Sequence, residues 1–376
     1  MGSLCSRAGE PAPDSPAAEF RSRSALLLTD AVFNKYDKDG NGELDVKELS
    51  ALMADAFPEQ PLTQEELKVM MQALDLNQDG KVGANELRAF LRCYDPKSHH
   101  IKTKTALIII DAQNDFITGT LANPYNGQQI VPIINGLRDK VDLVVISYDW
   151  HPEEHCSFVE SANAGKIAML DEPKTFEPFT MITLKGDADR PEHQQMLYPR
   201  HAVQDTWGGK CHEDLVLKDT DKVIYKGTKP NIDSYSAFFD NCKANDTGLL
   251  EMLQSAGVTD VYCAGLVFDI CVKSTALHGA ELGFNMLVIH DACKPLSDAQ
   301  VEPTKAVLAS AGVDVLSVDE AVGKLSARKD RTLKEFMSGI RRLKPAKRIH
   351  REMDSMSSHA LLAGPGTNPS KTNTFF

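Results

Sequence analysis

Several features are scarce in this 376-residue chain. Its eight cysteines, at positions 5, 93, 156, 211, 242, 263, 271 and 293, form no CxxC pair, and the start lacks the charged-then-apolar run of a secretory signal. Reduced, intracellular thiols are therefore expected rather than a disulfide framework. No apolar run approaches the ~20 residues that a membrane-spanning helix needs, so the expectation is a soluble protein. Basic excess is missing too: 41 Lys and Arg stand against 53 Asp and Glu, a net charge of −12. Nothing would draw the whole chain to nucleic acid without a local basic patch. Composition is otherwise ordinary, with 42% hydrophobic and 25% charged residues, which excludes a collagen-like, coiled-coil or wholly disordered chain. The length is more than twice a rough ~150-residue domain, so two domains plus tails are expected.

Residues 1–24 are rich in Ser, Ala, Pro and Arg without apolar periodicity and are expected to be a flexible arm. Residues 25–94 carry a helical apolar pattern interrupted by two acidic, Gly-containing loops. Residues 95–104, with Pro96, Ser98 and two histidines, have the composition of a linker. From 105 to 324, short Val/Ile-rich runs alternate with helical stretches, predicting an α/β domain with a doubly wound, mostly parallel sheet. Ligands bind such sheets outside the carboxyl ends of the strands. Residues 325–376 fall outside this rhythm.

In the first acidic loop Asp37, Asp39, Asn41, Glu43, Asp45 and Glu48 occupy positions 1, 3, 5, 7, 9 and 12, with Gly42 at position 6. Oxygen donors at every second residue wrap a hard cation, and a terminal Glu closes the site with two oxygens. The second loop repeats the scheme with Asp75, Asn77, Asp79, Gly80, the backbone carbonyl of Lys81, and Glu86. It carries fewer charges, since position 9 is Gly83. Both loops resemble EF-hands, so a small all-α lobe binding Ca²⁺ is expected. Apolar residues at position 8, Leu44 and Val82, fit a short strand contact between the loops, and Thr63 with Glu66 fits a capping box.

In the larger domain, polar residues fall where strands end. Asp111 follows Ala106–Ile110; Asp149 and His151 close Asp142–Asp149; His201 lies in a later loop; Lys226 precedes Gly227 at a third strand end. Cys271 follows the fourth strand, where a helix begins, a position that favours the thiolate. One carboxylate and two imidazoles make a borderline-soft divalent site with open positions.

ALIIIDAQNDF, the Asp149-x-His151 pair, the His201 segment, Lys226-Gly227 and GLVFDICV, in this order, resemble the isochorismatase-like cysteine hydrolases, and among them most closely the nicotinamidases. The resemblance spans about 220 residues and implies the three-layer isochorismatase-like fold. It implies a catalytic triad of Asp111, Lys226 and Cys271, and metal ligands Asp149, His151 and His201. Zinc is the first expectation, with iron or manganese as alternatives. It further implies an oxyanion hole from the backbone N–H groups of Val267 and Cys271 after a cis Leu266–Val267 peptide, and ring-pocket aromatics Phe116, Tyr198 and Tyr235. His155 is left outside the ligand set. The activity so implied is hydrolysis of nicotinamide to nicotinate and ammonia through a cysteine thioester, feeding NAD salvage. Two other readings stay open: a related small-amide hydrolase, and a calcium-binding adaptor with an inactive hydrolase domain. The second would expect a decayed triad, and none of its three residues is missing.

The ends carry separate signals. Met1-Gly2-Ser3-Leu4-Cys5-Ser6 fits N-myristoylation at Gly2 with Cys5 as a palmitoylation site, and equally a plain unstructured start. A cytoplasmic protein, or one held peripherally at a membrane by these acyl chains, is expected. Residues 324–351 carry eleven basic and two acidic side chains, net +9, with Leu333, Phe336, Met337, Ile340 and Leu343 at helical spacing. Residues 30–95 carry 14 acidic and 7 basic, net −7. The basic segment is thus either a solvated helix or an intramolecular ligand of the acidic lobe that couples calcium to the amidase.

Overall fold

The computed structural model describes residues 33–56, 58, 61–75, 80–83, 87, 94–95, 100–172, 174–187, 190–332 and 335. They divide into two compact units. The first takes residues up to Lys104, Glu251–Thr259 and a piece beginning at Arg328; the second takes Thr105–Leu250 and Asp260–Ala327. The N-terminal arm with Gly2 and Cys5, and most of the basic segment, lie outside the described residues.

In the first unit, helix α1 (Val46–Ala56) buries Leu49, Leu52 and Met53, and α2 (Gln64–Leu74) buries Leu67, Met70, Met71 and Leu74. Spacings of three and four place each set on one helix face. Thr63 caps α2 as its sequence predicts: Glu66 N–H donates to Thr63 Oγ1 at 3.2 Å and Thr63 N–H to Glu66 Oε2 at 2.8 Å. The two loops meet through antiparallel strands β1 (Glu43–Leu44) and β2 (Val82–Gly83), pairing Leu44 with Val82. Both side chains are fully buried.

Within the segment expected as a linker, 95–104, the described residues hold structure. Strand β3 (Tyr94–Asp95) pairs antiparallel with β4 (His100–Ile101), and β4 pairs with Arg331–Thr332 from the segment expected to be purely helical. Thr103 reinforces the join, donating from N to Asp330 Oδ1 and from Oγ1 to the Lys329 carbonyl. Pairing across more than 200 residues is invisible to composition, which sees only Pro, Ser and His.

The second unit is built on β5 (Thr105–Ile110), β6 (Leu143–Asp149), β9 (Lys222–Lys226), β10 (Asp260–Leu266), β11 (Asn285–Lys294) and β12 (Asp314–Leu316). The intervening β7 (Met181–Leu184) and β8 (His193–Met196) form a separate hairpin. All neighbours in the six-stranded sheet run parallel, in the order β12-β11-β10-β5-β6-β9. The order reverses between β5 and β10, the switch point at which doubly wound sheets open their ligand crevice.

Helices in this part are α3 (Asn114–Ile117), α4 (Ile130–Leu137), α5 (Val159–Asn163), α7 (Lys273–Glu281), α8 (Val301–Ser310) and α9 (Val318–Ser326), whereas α6 (Leu249–Ser255) has most of its residues in the first unit. On one sheet face Leu107 and Ile109 of β5 pack with Ile130, Val131, Ile134 and Leu137 of α4 and with Ala321 and Leu325 of α9. Strand alternation turns Ala106, Ile108 and Ile110 to the other face. All six residues of β5 are buried, as a central parallel strand requires. Helix α9 starts from its own Ser317/Glu320 capping box and runs two residues past the expected domain end at 324. No described helix is long and apolar enough to cross a membrane.

Candidate active site

The carboxyl ends of β5, β6, β9 and β10 converge at the switch point. Asp111 is the residue after β5, with φ of 49°, and is fully buried. Strand β9 is an edge strand on which Val223 and Tyr225 face outward while Ile224 and Lys226 face inward, so period-2 alternation alone turns the Lys226 ammonium toward the site. Its Nζ lies 2.9 Å from Asp111 Oδ2, 2.8 Å from Asp149 Oδ1, 3.1 Å from the Ser234 carbonyl and 3.7 Å from Cys271 Sγ. The three residues of the implied triad are thus brought together around one buried cation.

Two glycines make this convergence sterically feasible. A Cβ at Gly265 would lie 1.9 Å from the Ile110 carbonyl oxygen, so a side chain there would push β10 from β5. A Cβ at Gly227 would lie 2.3 Å from His151 Cε1, in the space the imidazole occupies.

Charge states follow from burial and neighbours. Burial, aided by Asp149, outweighs Lys226 and lifts Asp111 to about 7. Burial alone would neutralise Lys226, but Asp111 and Asp149 hold it well above its usual value and charged. Cys271 differs from the sequence expectation. It sits in a wide helical turn, Phe268–Val272, ahead of α7, and burial pushes its thiol well up despite Lys226. Burial thus opposes the thiolate that a helix start favours, and a base that takes the thiol proton assists its attack. The Leu266–Val267 peptide before this turn is cis.

Asp149, His151 and His201 bring ligand atoms within 4.8 Å of one another, all buried. His151 Nδ1 is 2.9 Å from the Gly227 carbonyl and His201 Nδ1 is 2.7 Å from the Pro199 carbonyl. Each carbonyl can only accept, so both Nδ1 atoms carry a proton and both Nε2 atoms are left to face a ligand or carboxylate. Those Nε2 atoms point at Asp149 Oδ2, at 3.2 and 3.7 Å, and His151 Nε2 is buried without a hydrogen-bond partner. An orphaned buried nitrogen beside a carboxylate fits a divalent transition metal.

Several contributors were missed in the sequence. Gln113 ties the strand ends together, donating to the Asp149 and Gly209 carbonyls and accepting from Asp149 N–H. Asp115 accepts from Ala202 N–H at 2.8 Å and so holds the His201 loop. Their place in the polar run after β5 was the available signal. His155, treated as an ordinary histidine, is fully buried and stacks on His151 with centroids 4.0 Å apart. It also forms a second close donor group with His151 and Asp233, although its own nitrogens already contact Ser157 Oγ and the Ile232 carbonyl. Phe116, Tyr198 and Tyr235 line one pocket with Cys271, Asp149 and His201, joined by Leu121, Asn123, Asp233, Val267, Ile270 and Leu296.

In the first unit Asp37, Asp39 and Glu48 gather ligand atoms within 4.8 Å. Asn41 N–H bonds both aspartates, and Gly42 N–H donates to Asp37 Oδ2 at 2.9 Å, matched in the second loop by Gly80 N–H to Asp75 Oδ2 at 2.9 Å. The Glu43 carboxylate, counted among donors, instead pairs with Lys81 Nζ at 2.6 Å, leaving its backbone carbonyl for a cation. Asn77, Asp79 and Glu86 lie outside the described residues.

The doubly wound sheet thus gathers an acid, an amine and a thiol at its switch point, beside a carboxylate and two imidazoles. The Isochorismatase domain family model matches residues 105–320, and the chain belongs to that family. A model for an EF-hand domain pair matches residues 28–92. The chain is 39% identical over 191 residues to a nicotinamidase of Acinetobacter baylyi, covering 51% of this chain and 81% of that protein. It is 32% identical over 203 residues to a nicotinamidase of Saccharomyces cerevisiae, covering 51% and 88%. The solved yeast nicotinamidase bound to the inhibitor nicotinaldehyde superposes with a TM-score of 0.51 at 29% identity, over 57% of this chain and 99% of that one.

Proposed function

We propose that the chain is a nicotinamide amidohydrolase, converting nicotinamide and water to nicotinate and ammonia and so feeding NAD salvage. The carrying observation is the placement of Cys271 Sγ and Asp111 around one buried ammonium, at the wall of a pocket lined by Phe116, Tyr198 and Tyr235. A planar aromatic amide fits such a pocket, and the relatives named above are nicotinamidases.

A carboxamide has a poor leaving group, so covalent catalysis divides the barrier. Asp111 takes the thiol proton as Cys271 Sγ bonds to the amide carbon. The backbone N–H groups of Val267 and Cys271 receive the oxyanion, contacts typically worth about 3 kcal/mol each. Asp111 returns the proton to nitrogen, the C–N bond breaks, and ammonia departs from a thioester. Asp111 then takes a proton from water, hydroxide adds to the thioester carbon, and nicotinate leaves as the thiol is restored. Lys226 stays charged throughout and keeps Asp111 in place. Zinc, or alternatively iron or manganese, would be held by Asp149, His151 and His201 and would supply a Lewis acid for the ring nitrogen.

The EF-hand pair is part of this proposal. Calcium in loops 37–48 and 75–86 modulates the amidase, with the basic segment after 324 as the lobe's intramolecular ligand, in a cytoplasmic protein that Gly2 and Cys5 tether to membranes when acylated. The test is ammonia release from nicotinamide by the metal-loaded full chain, with and without calcium. Cys271→Ala is expected to reduce turnover by about 10³-fold or more. Equal rates for the two proteins would overturn the hydrolase mechanism.

A further inference from the structure

Phe179 is the least economical residue near the pocket. It occupies the left-handed region with φ of 64°, a conformation that costs any residue with a Cβ and is rare for a bulky one. The turn explains the position but not the residue. Thr180 N–H bonds the Glu177 carbonyl at 3.2 Å, Pro178 takes the second corner and Phe179 the third, the place where a turn of this type favours Gly. The ring gains little by burial, since half of it is exposed. A strained backbone carrying a half-solvated aromatic points to a role beyond folding.

Among the described residues the ring meets one other aromatic ring, that of Tyr198. Its centroid is 5.9 Å from that of Tyr198 at 88°, while Phe179 N–H donates to the Leu197 carbonyl at 2.6 Å and fixes the turn against the same strand end. Tyr198 is itself 6% exposed and lines the pocket. Its hydroxyl lies 3.4 Å from that of Tyr235, and its ring meets His201 edge-on at 5.8 Å. Tyr198 is therefore braced by Phe179 on one side and abuts the metal-site imidazole on another.

We propose that Phe179 is a positioning residue for substrate: by bracing Tyr198 it sets the width of the ring pocket and with it the preference for planar ring amides. This rests on the pocket taking an aromatic amide, as proposed above. Phe179 touches no reacting atom, so its removal acts on binding rather than on bond making.

The experiment compares the wild type, Phe179→Gly and Phe179→Leu as metal-loaded full chains, with nicotinamide and acetamide as substrates. The Gly variant accepts the left-handed backbone, so its thermal midpoint holds or rises. Its KM for nicotinamide rises about tenfold with kcat within about twofold, the signature of lost uniform binding. Its preference for nicotinamide over acetamide falls, and Phe179→Leu, which keeps an apolar brace, recovers most of the KM. A Gly variant with unchanged KM and preference overturns the role of Phe179 while leaving the amidase assignment intact. A wild type that hydrolyses acetamide but not nicotinamide overturns both, and a Leu variant no better than Gly overturns the bracing.

Discussion

The two units build their charged sites on opposite plans. In the EF-hand lobe, the donors Asp37, Asp39 and Glu48 come from one twelve-residue stretch; Asp39 is exposed, Asp37 half-buried and Glu48 buried, and their carboxylates bond loop amides. In the hydrolase unit, Asp111, Asp149, Lys226 and Cys271 come from four strand ends spread over 160 residues, and all are buried. A contiguous loop obtains its geometry from its own backbone, and water shares the cost of its charges. The dispersed site depends on strand register and order, and each of its charges must be compensated by another. Substitutions should therefore act locally and mildly in the lobe, and through the whole network in the hydrolase.

Lys226→Met is the severest test. Methionine fills the space, but Asp111 and Asp149 lose the ammonium at 2.9 and 2.8 Å and remain buried. Removing one partner of a buried pair costs about 3–5 kcal/mol, so denaturant unfolding of the hydrolase unit should shift by that amount and amidase activity should vanish. A loss below about 1 kcal/mol would mean that the charges are compensated elsewhere. A gentler probe is pH. Asp111 must be ionised to accept the thiol proton, and its pKa is lifted to about 7, so the ionised fraction falls as pH drops through that value. A pH series of kcat/KM should show an acid limb near pH 7, declining about tenfold per unit below it. A limb near 4 would show that Asp111 is not desolvated in the working enzyme.

The same contrast decides what was legible in the sequence. The Leu44–Val82 pairing could be foreseen because loop position alone fixes it. Lys226 and Asp111 could be placed because strand runs and their ends are local patterns, and topology then joined them. His155 could not. Its burial depends on the segment that follows β9, through Cys156 N–H to the Pro230 carbonyl and His155 Nε2 to the Ile232 carbonyl, contacts that span more than 70 residues. The strand pairing of β4 with Arg331–Thr332 was equally hidden, because two-residue strands show no periodicity. The burial of the Cys271 thiol was hidden for a third reason: helix position is visible in a sequence, whereas the desolvation that raises the thiol is not.

Thr63→Ala supplies the smallest expected effect and the cleanest separation of the two units. The exposed capping box satisfies two backbone donors at the start of α2, the N–H groups of Glu66 and Thr63. Alanine removes the first acceptor and frees Glu66 from its reciprocal bond, a change typically worth about 1 kcal/mol. Because α2 leads directly into Asp75 of the second loop, the cost should appear as a lower unfolding midpoint of the lobe and a modest weakening of calcium binding by calorimetry. Metal-loaded amidase activity without calcium should stay at the wild-type level, since no residue of the buried network depends on this cap. A matching fall in calcium-free activity would mean that the lobe supports the hydrolase even without its ion, and the division into a local, tolerant site and a dispersed, intolerant one would fail.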